Sequence, residues 1–429
     1  MKKVCIITLG CKTNQYESQA LGEALEAENY EVCFKLCYAD IYILNTCAVT
    51  NEAERKSRQY ISKFNKLNQD CKIFVCGCAS QNNFEQFVNL PNVQYVTGNA
   101  KILNLVNRIK TKKGANVEKF PEVYEDICIT KAHNARAYIK IQDGCNRFCS
   151  YCLIPYLRGK SRSRNMLSIL QEIDCLAKQS VKEIILTGVD ISDYKIDDKL
   201  ALLTLLEQID NYGIRFRISS FEPNILTEEF VKAISKLKNL CPHFHISMQS
   251  GCTETLKRMN RHYTSNFFVE RVKLLRTYFD NPAITTDIIV GFPGETSEEF
   301  TKTLNTVKKI KFAQIHIFPY SRRSGTTADK LLADKTNPAF FAINGDIIKL
   351  RVRTLSELAK KLETSFINSN KNKIFNAIIE TQKNNFLIGT TENYIKVYIE
   401  SEKTNFINSL QKIKILKPYH DGALAEFID

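Results

Sequence analysis

No run of eighteen apolar residues occurs in the 429-residue chain, which excludes an ordinary transmembrane helix. Two lysines open the sequence, but the apolar stretch after them, Val4 to Leu9, is short and ends at Gly10-Cys11-Lys12-Thr13-Asn14. Neither a secretory leader nor membrane association is therefore expected, and a cytoplasmic location is. The fifteen cysteines fall well short of the roughly 8–10% of a disulfide scaffold. In a reducing compartment, clustered cysteines are metal ligands or catalysts sooner than disulfides. At 44% apolar and 25% charged, the composition is that of a globular protein with a large core. Acidic residues are the scarcer sign, 46 against 60 Lys and Arg. The +14 surplus favours polyanionic partners.

Three regions separate on pattern. Up to about residue 120, short β-type runs (Lys3–Thr8, Ile41–Asn45, Lys72–Cys76) alternate with helical ones (Gln15–Glu28, Glu52–Leu67), which predicts βαβ units on a parallel sheet. Residues 109–134 have weak periodicity and are expected to be a linker or crossover. From about 135, strands are expected at Ala137–Gln142, Glu183–Thr187, Arg215–Ser219, His243–Ser247, Ile284–Val290 and Gln314–Phe318, with helices such as Ser168–Gln179 and Glu298–Ile310 between them. Six βα repeats predict a full or partial parallel barrel with ligands at the strands' carboxyl ends. An amphipathic helix is expected over 340–366. After it, Phe375–Glu380, Phe386–Gly389, Tyr394–Glu400 and Lys412–Leu416 predict a small all-β barrel.

One segment carries the strongest chemistry. In Gly144-Cys145-Asn-Arg-Phe-Cys149-Ser-Tyr151-Cys152, three thiols lie within eight residues just after a strand. A closed zinc site needs four protein ligands, and no fourth cysteine or histidine lies nearby. Three thiolates suit an iron–sulfur cluster with one iron left open. In the amino-terminal region, Cys11, Cys47 and Cys78 each follow an expected strand. A parallel sheet gathers such ends on one edge, so these three could hold a second cluster. The other cysteines, at 5, 33, 37, 71, 128, 175, 241 and 252, fit no ligand spacing and are expected to be buried packing residues. His243 and His245 share a strand face and are expected to be satisfied barrel histidines.

The C-x3-C-x2-C loop at the end of the first of six βα units resembles the radical S-adenosylmethionine enzymes. The resemblance implies that Cys145, Cys149 and Cys152 hold a catalytic [4Fe–4S] cluster whose open iron chelates S-adenosyl-L-methionine. Tyr151, Gly188, Ser220, Gln249 and Asp287 fall where that family lines its cosubstrate pocket. The strings Leu9-Gly10-Cys11-Lys12-Thr13-Asn14, Asn45-Thr46-Cys47 and Gly77-Cys78 resemble the amino-terminal domain of the methylthiotransferases, a subfamily with two [4Fe–4S] clusters. This implies that Cys11, Cys47 and Cys78 bind the auxiliary cluster. Cys76 competes for the third position, and Cys78 is preferred because it follows the glycine; strand alternation is expected to put both on the same side.

The resemblance covers nearly the whole chain. It implies a methylthiotransferase amino-terminal domain over 1–120, a radical domain with a partial (βα)6 barrel over 135–366, and a TRAM-like β-barrel over 367–429. Lys12-Thr13-Asn14, His316 to Thr326 and Gly389 to Tyr394 resemble the subgroup acting on N6-threonylcarbamoyladenosine at position 37 of tRNA. Isopentenyladenosine in tRNA and a ribosomal-protein aspartate are the alternative substrates. A non-catalytic iron–sulfur protein that binds RNA is the alternative of another class. The implied chemistry uses one S-adenosylmethionine to methylate a cluster-held sulfur and a second to generate the radical that abstracts hydrogen from adenine C2. An electron donor is also implied, its identity not legible.

Charge supplies a separate argument for RNA. Residues 131–164 contain eight basic side chains against Asp143 alone, and a basic mouth suits a phosphate backbone. Arg158, Lys160, Arg162 and Arg164 are therefore the expected contacts to the tRNA anticodon loop. Residues 367–429 hold eight basic and seven acidic side chains, so charge gives no reason for RNA binding there.

Overall fold

A computed structural model describes every residue except Lys112, His133, Asn134, Ser180, Lys335, Lys403 and Asp429. The amino-terminal part is a six-stranded parallel sheet in the order β2-β1-β3-β4-β5-β6. Its strands are β1 (Lys3–Thr8), β2 (Glu31–Cys33), β3 (Ile41–Thr46), β4 (Lys72–Gly77), β5 (Val93–Thr97) and β6 (Gly114–Asn116). Helices α1 (Lys12–Ala27), α2 (Asn51–Leu67) and α3 (Cys78–Asn82) connect them. β3 is buried at all six positions, as a central parallel strand covered on both faces must be. Gly114–Asn116 departs from the expected linker over 109–134. It is a three-residue edge strand, too short to leave a period in the sequence.

The central part has six parallel strands in an open arc. Arg136–Lys140, Glu183–Thr187 and Arg215–Ile218 form one stretch; Ser220–Phe221, His243–Ile246, Ala283–Val290 and Gln314–Pro319 form the next. The third strand is interrupted at Ser219 and belongs to both. Among the described residues the first and last strands do not pair, so the barrel is partial. Helix α1 packs beside the first strand, and helix Gly345–Ser369 packs beside the last.

A closed five-stranded barrel of Ile374–Lys383, Phe386–Thr391, Lys396–Glu400, Leu410–Tyr419 and Gly422–Phe427 ends the chain. Gly422–Phe427, absent from the expected strands, closes it. Tyr394, expected inside a strand, instead takes a left-handed turn (φ 66°) and stacks on His243 at 3.8 Å between ring centroids. Guanidinium groups tie this barrel to the floor of the central one. Arg217 donates to the carbonyl oxygens of Thr391 (3.1 Å) and Glu392 (3.0 Å), and Arg215 donates to that of Asn376 (2.8 Å). Buried Glu183 sits among Arg217, Arg215 and Arg136. Burial alone would raise its pKa, but the three cations outweigh that and hold it at about 2.

Candidate functional site

The parallel sheet delivers Cys11, Cys47 and Cys78 to one edge, because each follows the carboxyl end of a strand. Tight turns make this possible. Gly10 adopts φ 113°, and a Cβ there would stand 3.2 Å from the Cys47 Sγ. Gly77 adopts φ 102°, and its Cβ would fall 2.4 Å from the Thr46 carbonyl oxygen. Only glycine accepts both the left-handed backbone and the crowding. Asn14 donates from Nδ2 to Asn45 Oδ1 (2.9 Å), while Asn45 donates to Ser18 Oγ (3.0 Å). That network explains why the motif around Cys11 carries Asn14 and Ser18. Thr46 Oγ1 accepts from the Ala79 and Ser80 amides, fixing the start of α3.

Cys76 does not share this edge. It is fully buried among sheet residues facing α1, with its Sγ 3.7 Å from the Leu44 carbonyl oxygen. Cys78 is the first residue of α3, so strand alternation does not place it on the side of Cys76, as expected; the turn at Gly77 redirects it.

Cys145, Cys149 and Cys152 line the loop after the first central strand. Each sulfur has a nitrogen donor: the Arg147 amide to Cys145 (3.5 Å), the Ile154 amide to Cys152 (3.4 Å), and the Arg261 guanidinium to Cys149 (3.4 Å). Donors of this kind suit thiolate ligands. Burial, then neighbouring thiols or charges, pushes Cys47, Cys145 and Cys152 up to about 12, so each carries a proton until a metal displaces it. Within each set the thiols act on one another's ionisation. Neither set closes to within 4.8 Å between its sulfurs. In each set at least one pair of sulfurs is thus farther apart than a single ion needs.

The two triangles flank one short helix, Ile154–Arg158. Leu153 and Leu157 pack in the same apolar cluster as Cys78 and Ala79. Asn99 Nδ2 donates to the Leu157 carbonyl oxygen (2.9 Å) and reaches Cys78 Sγ (3.5 Å). Arg158, at the end of that helix, forms a two-pronged pair with Glu17 of α1 at 2.8 and 3.0 Å.

This corrects the expected RNA contacts. Arg158, Arg162 and Arg164 are 1%, 9% and 0% exposed. Arg158 is held by Glu17 and Asp143, Arg164 by Glu172 and Asp126, and Arg162 turns back to the Lys160 and Arg158 carbonyl oxygens. A run of basic residues reads as a surface only when its partners are ignored, and these partners range from the Lys160 carbonyl oxygen two residues from Arg162 to Glu17, 141 residues from Arg158. Lys160 alone of the four is exposed.

Of the expected cosubstrate residues, Gly188, Ser220 and Gln249 fall at or just past the strands' carboxyl ends, Tyr151 lies in the cysteine loop, and Asp287 sits inside Ala283–Val290. Ser220 Oγ lies 2.8 Å from Ser247 Oγ, and Gln249 takes φ 63° while bridging to the strand of Asp287. Tyr151 meets Phe292 edge-on. Gly188 abuts Gln142, whose Oε1 accepts from the Val189 and Asp190 amides and whose Nε2 donates to the Gly144 carbonyl oxygen. Gln142 thus fastens the cysteine loop to the Gly188 turn; nothing in its sequence position signalled that. Arg261 was likewise missed. It pairs with Glu222 (2.7 Å) and donates to the Ser247 carbonyl oxygen (3.0 Å) while reaching Cys149.

Inside the arc, His243 and His245 share Thr285 Oγ1, each at 3.0 Å, but His243 is not fully satisfied as expected: its buried Nδ1 has no partner among the described residues. His245, Asp287 and His316 bring their polar atoms within 4.8 Å. Lys12, next to Cys11, projects its charge toward Arg217, Arg136 and Glu183. Burial and then the two arginines lower its pKa to about 8. A cavity of about 330 Å³, lined by Arg136, Thr285, His316, Thr390 and Tyr394 among others, opens where the arc meets the small barrel. It adjoins the strands' starts at Ala283 and Ala313, away from the cysteines.

Comparison with known proteins gives two family matches. Residues 139–307 match the Radical SAM superfamily, and residues 3–98 match the Uncharacterized protein family UPF0004. The Threonylcarbamoyladenosine tRNA methylthiotransferase MtaB of Bacillus subtilis is 35% identical, over 100% of this chain and 98% of its own. The protein of that name from Thermotoga maritima is 39% identical over 77% of each chain. The tRNA-2-methylthio-N(6)-dimethylallyladenosine synthase of Thermodesulfovibrio yellowstonii is 32% identical over 100% of this chain and 99% of its own. Among solved structures, the radical S-adenosylmethionine methyltransferase TsrM of Kitasatospora setae shares the fold, with a TM-score of 0.57 at 15% identity over 78% of each chain.

Proposed function

The chain belongs to the radical S-adenosylmethionine methylthiotransferases, and from that premise we propose that it adds a methylthio group to C2 of N6-threonylcarbamoyladenosine at position 37 of tRNA. The observation that carries this reading is the pair of cysteine triangles on either side of helix Ile154–Arg158. One triangle alone would suit radical generation; two allow a sulfur to be handed to the carbon made reactive nearby. Full-length relatedness to proteins acting on threonylcarbamoyladenosine, at 34–36% for two of them and for a third covering 94% of this chain, supports the choice of base.

The donor set fits the implied groups. Cys145, Cys149 and Cys152 would hold the radical [4Fe–4S] cluster, and Cys11, Cys47 and Cys78 the auxiliary one. Clusters of this kind supply the electron that cleaves a sulfonium and a site to carry sulfur. The chain's own residues position and shield them. Gln142 locks the cysteine loop against the Gly188 turn. Tyr151, Gly188, Ser220, Gln249 and Asp287 would take S-adenosyl-L-methionine. Arg261 keeps a positive charge at Cys149 and neutralises Glu222 in a buried setting. A target base beside the anticodon is unpaired already, which lowers the cost of bringing it between the clusters. Reducing equivalents come from a donor outside the chain.

Replacing Arg261 with lysine keeps the charge for Glu222 but removes the donor from the Cys149 sulfur. The radical cluster's potential should fall on the order of tens of mV, because hydrogen bonds to sulfur favour the reduced, more negative cluster. A redox titration followed by electron paramagnetic resonance reads it; an unmoved midpoint would remove Arg261 from that role.

The function itself is tested on tRNA nucleosides from a strain lacking the gene. The methylthio mark should vanish from threonylcarbamoyladenosine and return with the wild-type gene, but not with Cys47→Ala. Unchanged levels of that mark in the deletion strain refute the substrate. Loss from isopentenyladenosine instead would assign the other tRNA base.

A further inference from the structure

Cys5, Cys33 and Cys37, expected to be packing residues, converge on the far edge of the amino-terminal sheet. Parallel register places Cys5 of β1 directly beside Cys33 of β2. The following turn returns Cys37 to them, held by the Tyr42 hydroxyl, which donates to the Cys37 carbonyl oxygen at 2.9 Å. All three sulfurs lie within 4.8 Å of one another, and those of Cys33 and Cys37 approach to 2.7 Å. Cys5 is fully buried while the other two are half-buried, so the triangle is sealed from within and reachable from outside. The same expectation fails differently at Cys128, which is exposed, and Cys175, which is half-buried; neither joins a group.

We propose that Cys5, Cys33 and Cys37 form a third thiolate site that binds a single zinc ion, separate from both iron–sulfur triangles. The size of the triangle carries the choice of ligand. A Zn–S bond of about 2.3 Å sets tetrahedral sulfurs about 3.8 Å apart; these three sulfurs all lie within 4.8 Å of one another, and the Cys33–Cys37 pair, at 2.7 Å, would open by about 1 Å to take the ion. Three thiolates and a soft d10 ion are matched in hardness. Water can complete the tetrahedron on the side where Cys33 and Cys37 are exposed; the Lys35 carbonyl oxygen, 3.4 Å from Cys5 Sγ, also faces the group. A zinc trithiolate carries one net negative charge, and the Lys3 ammonium, paired with Glu31 at 3.1 Å, lies near enough to respond to both Cys33 and Cys37. The ion would pin the short edge strand β2 and the turn after it, where Leu36 and Tyr38 are exposed.

The test uses full-length protein with its iron–sulfur clusters reconstituted, exposed to zinc and freed of excess by gel filtration. About one zinc per chain should remain. Cys33→Ser/Cys37→Ser should lose it with iron and sulfide unchanged, and Cys11→Ala/Cys47→Ala/Cys78→Ala should keep it. Cobalt in place of zinc should show sulfur-to-metal charge-transfer absorption in the wild type and in the Cys11→Ala/Cys47→Ala/Cys78→Ala variant but not in the serine variant. Should the serine variant fold poorly, wild-type protein decides: zinc should shield Cys33 and Cys37 from iodoacetamide, read by mass spectrometry. No retained zinc, zinc lost with the Cys11 set instead, or a Cys33–Cys37 disulfide under glutathione-buffered reduction each overturns the site.

Discussion

Replacing Glu17 with glutamine should cost about 3–5 kcal/mol of stability, the usual result of breaking a buried ion pair from one side. Glu17 is buried in a cluster of two carboxylates and two cations: Arg158 at 2.8 Å, Lys140 at 2.7 Å, and Asp143, which also meets Lys140 at 2.7 Å. Glutamine preserves the shape but leaves the buried Lys140 and Arg158 with Asp143 as their remaining carboxylate. Urea unfolding measures it. Lys178→Ala, which breaks an exposed pair with Asp174, should leave the unfolding midpoint unchanged. The pH dependence is a second signature. Burial alone would raise the pKa of Glu17, yet Arg158 and Lys140 outweigh it and hold the group below its ordinary value. That contribution is complete above the unfolded carboxyl range, about pH 4.3, and is lost as pH falls through the lower folded value. The variant should lack this slope. Because the pair joins α1, next to Cys11, to the helix after Cys152, methylthio transfer should fall further than formation of 5′-deoxyadenosine.

The same pair shows where sequence reasoning ended. The strands that carry Cys11, Cys47 and Cys78 were legible because parallel βαβ units announce themselves by alternation, and a parallel sheet presents all its carboxyl ends on one edge. The Cys145 loop was legible because its three ligands are local. Arg158 was not, because a sequence displays charge without its partner, and Glu17 lies 141 residues away. Counting eight cations against one acid between 131 and 164 treated buried pairs as surface. Cys5 and Cys33 failed for a related reason: their nearness comes from the register of β1 with β2, and β2 is only three residues long. Short elements at sheet edges, β2, β6 and Gly422–Phe427, complete structures begun by longer ones and leave little periodicity of their own. Gln142 and Arg261 act through single contacts with loops distant in the chain. No spacing rule reaches such contacts.

Lys12→Met should lower kcat/KM for tRNA bearing threonylcarbamoyladenosine by about 10- to 100-fold, the equivalent of one charge-assisted hydrogen bond of about 1.5–3 kcal/mol. The central arc is rich in cations, but most are already committed. Glu183 takes Arg217, Arg215 and Arg136, and the last also meets Glu380. His243 and His316 are held neutral chiefly by burial. Among the described residues no hydrogen bond or ion pair engages the Lys12 ammonium, although its charge reaches both histidines. An arriving carboxylate would find there a cation that is uncommitted among the described residues. The threonyl part of the modified base carries a carboxylate, whereas an isopentenyl group is hydrocarbon and offers nothing to a cation. The loss should therefore appear mainly in KM, with iron content and uncoupled 5′-deoxyadenosine formation near the wild-type level. An equal fall in all three quantities would assign Lys12 to support of Cys11 alone, and an unchanged KM would place the carboxylate elsewhere in the arc.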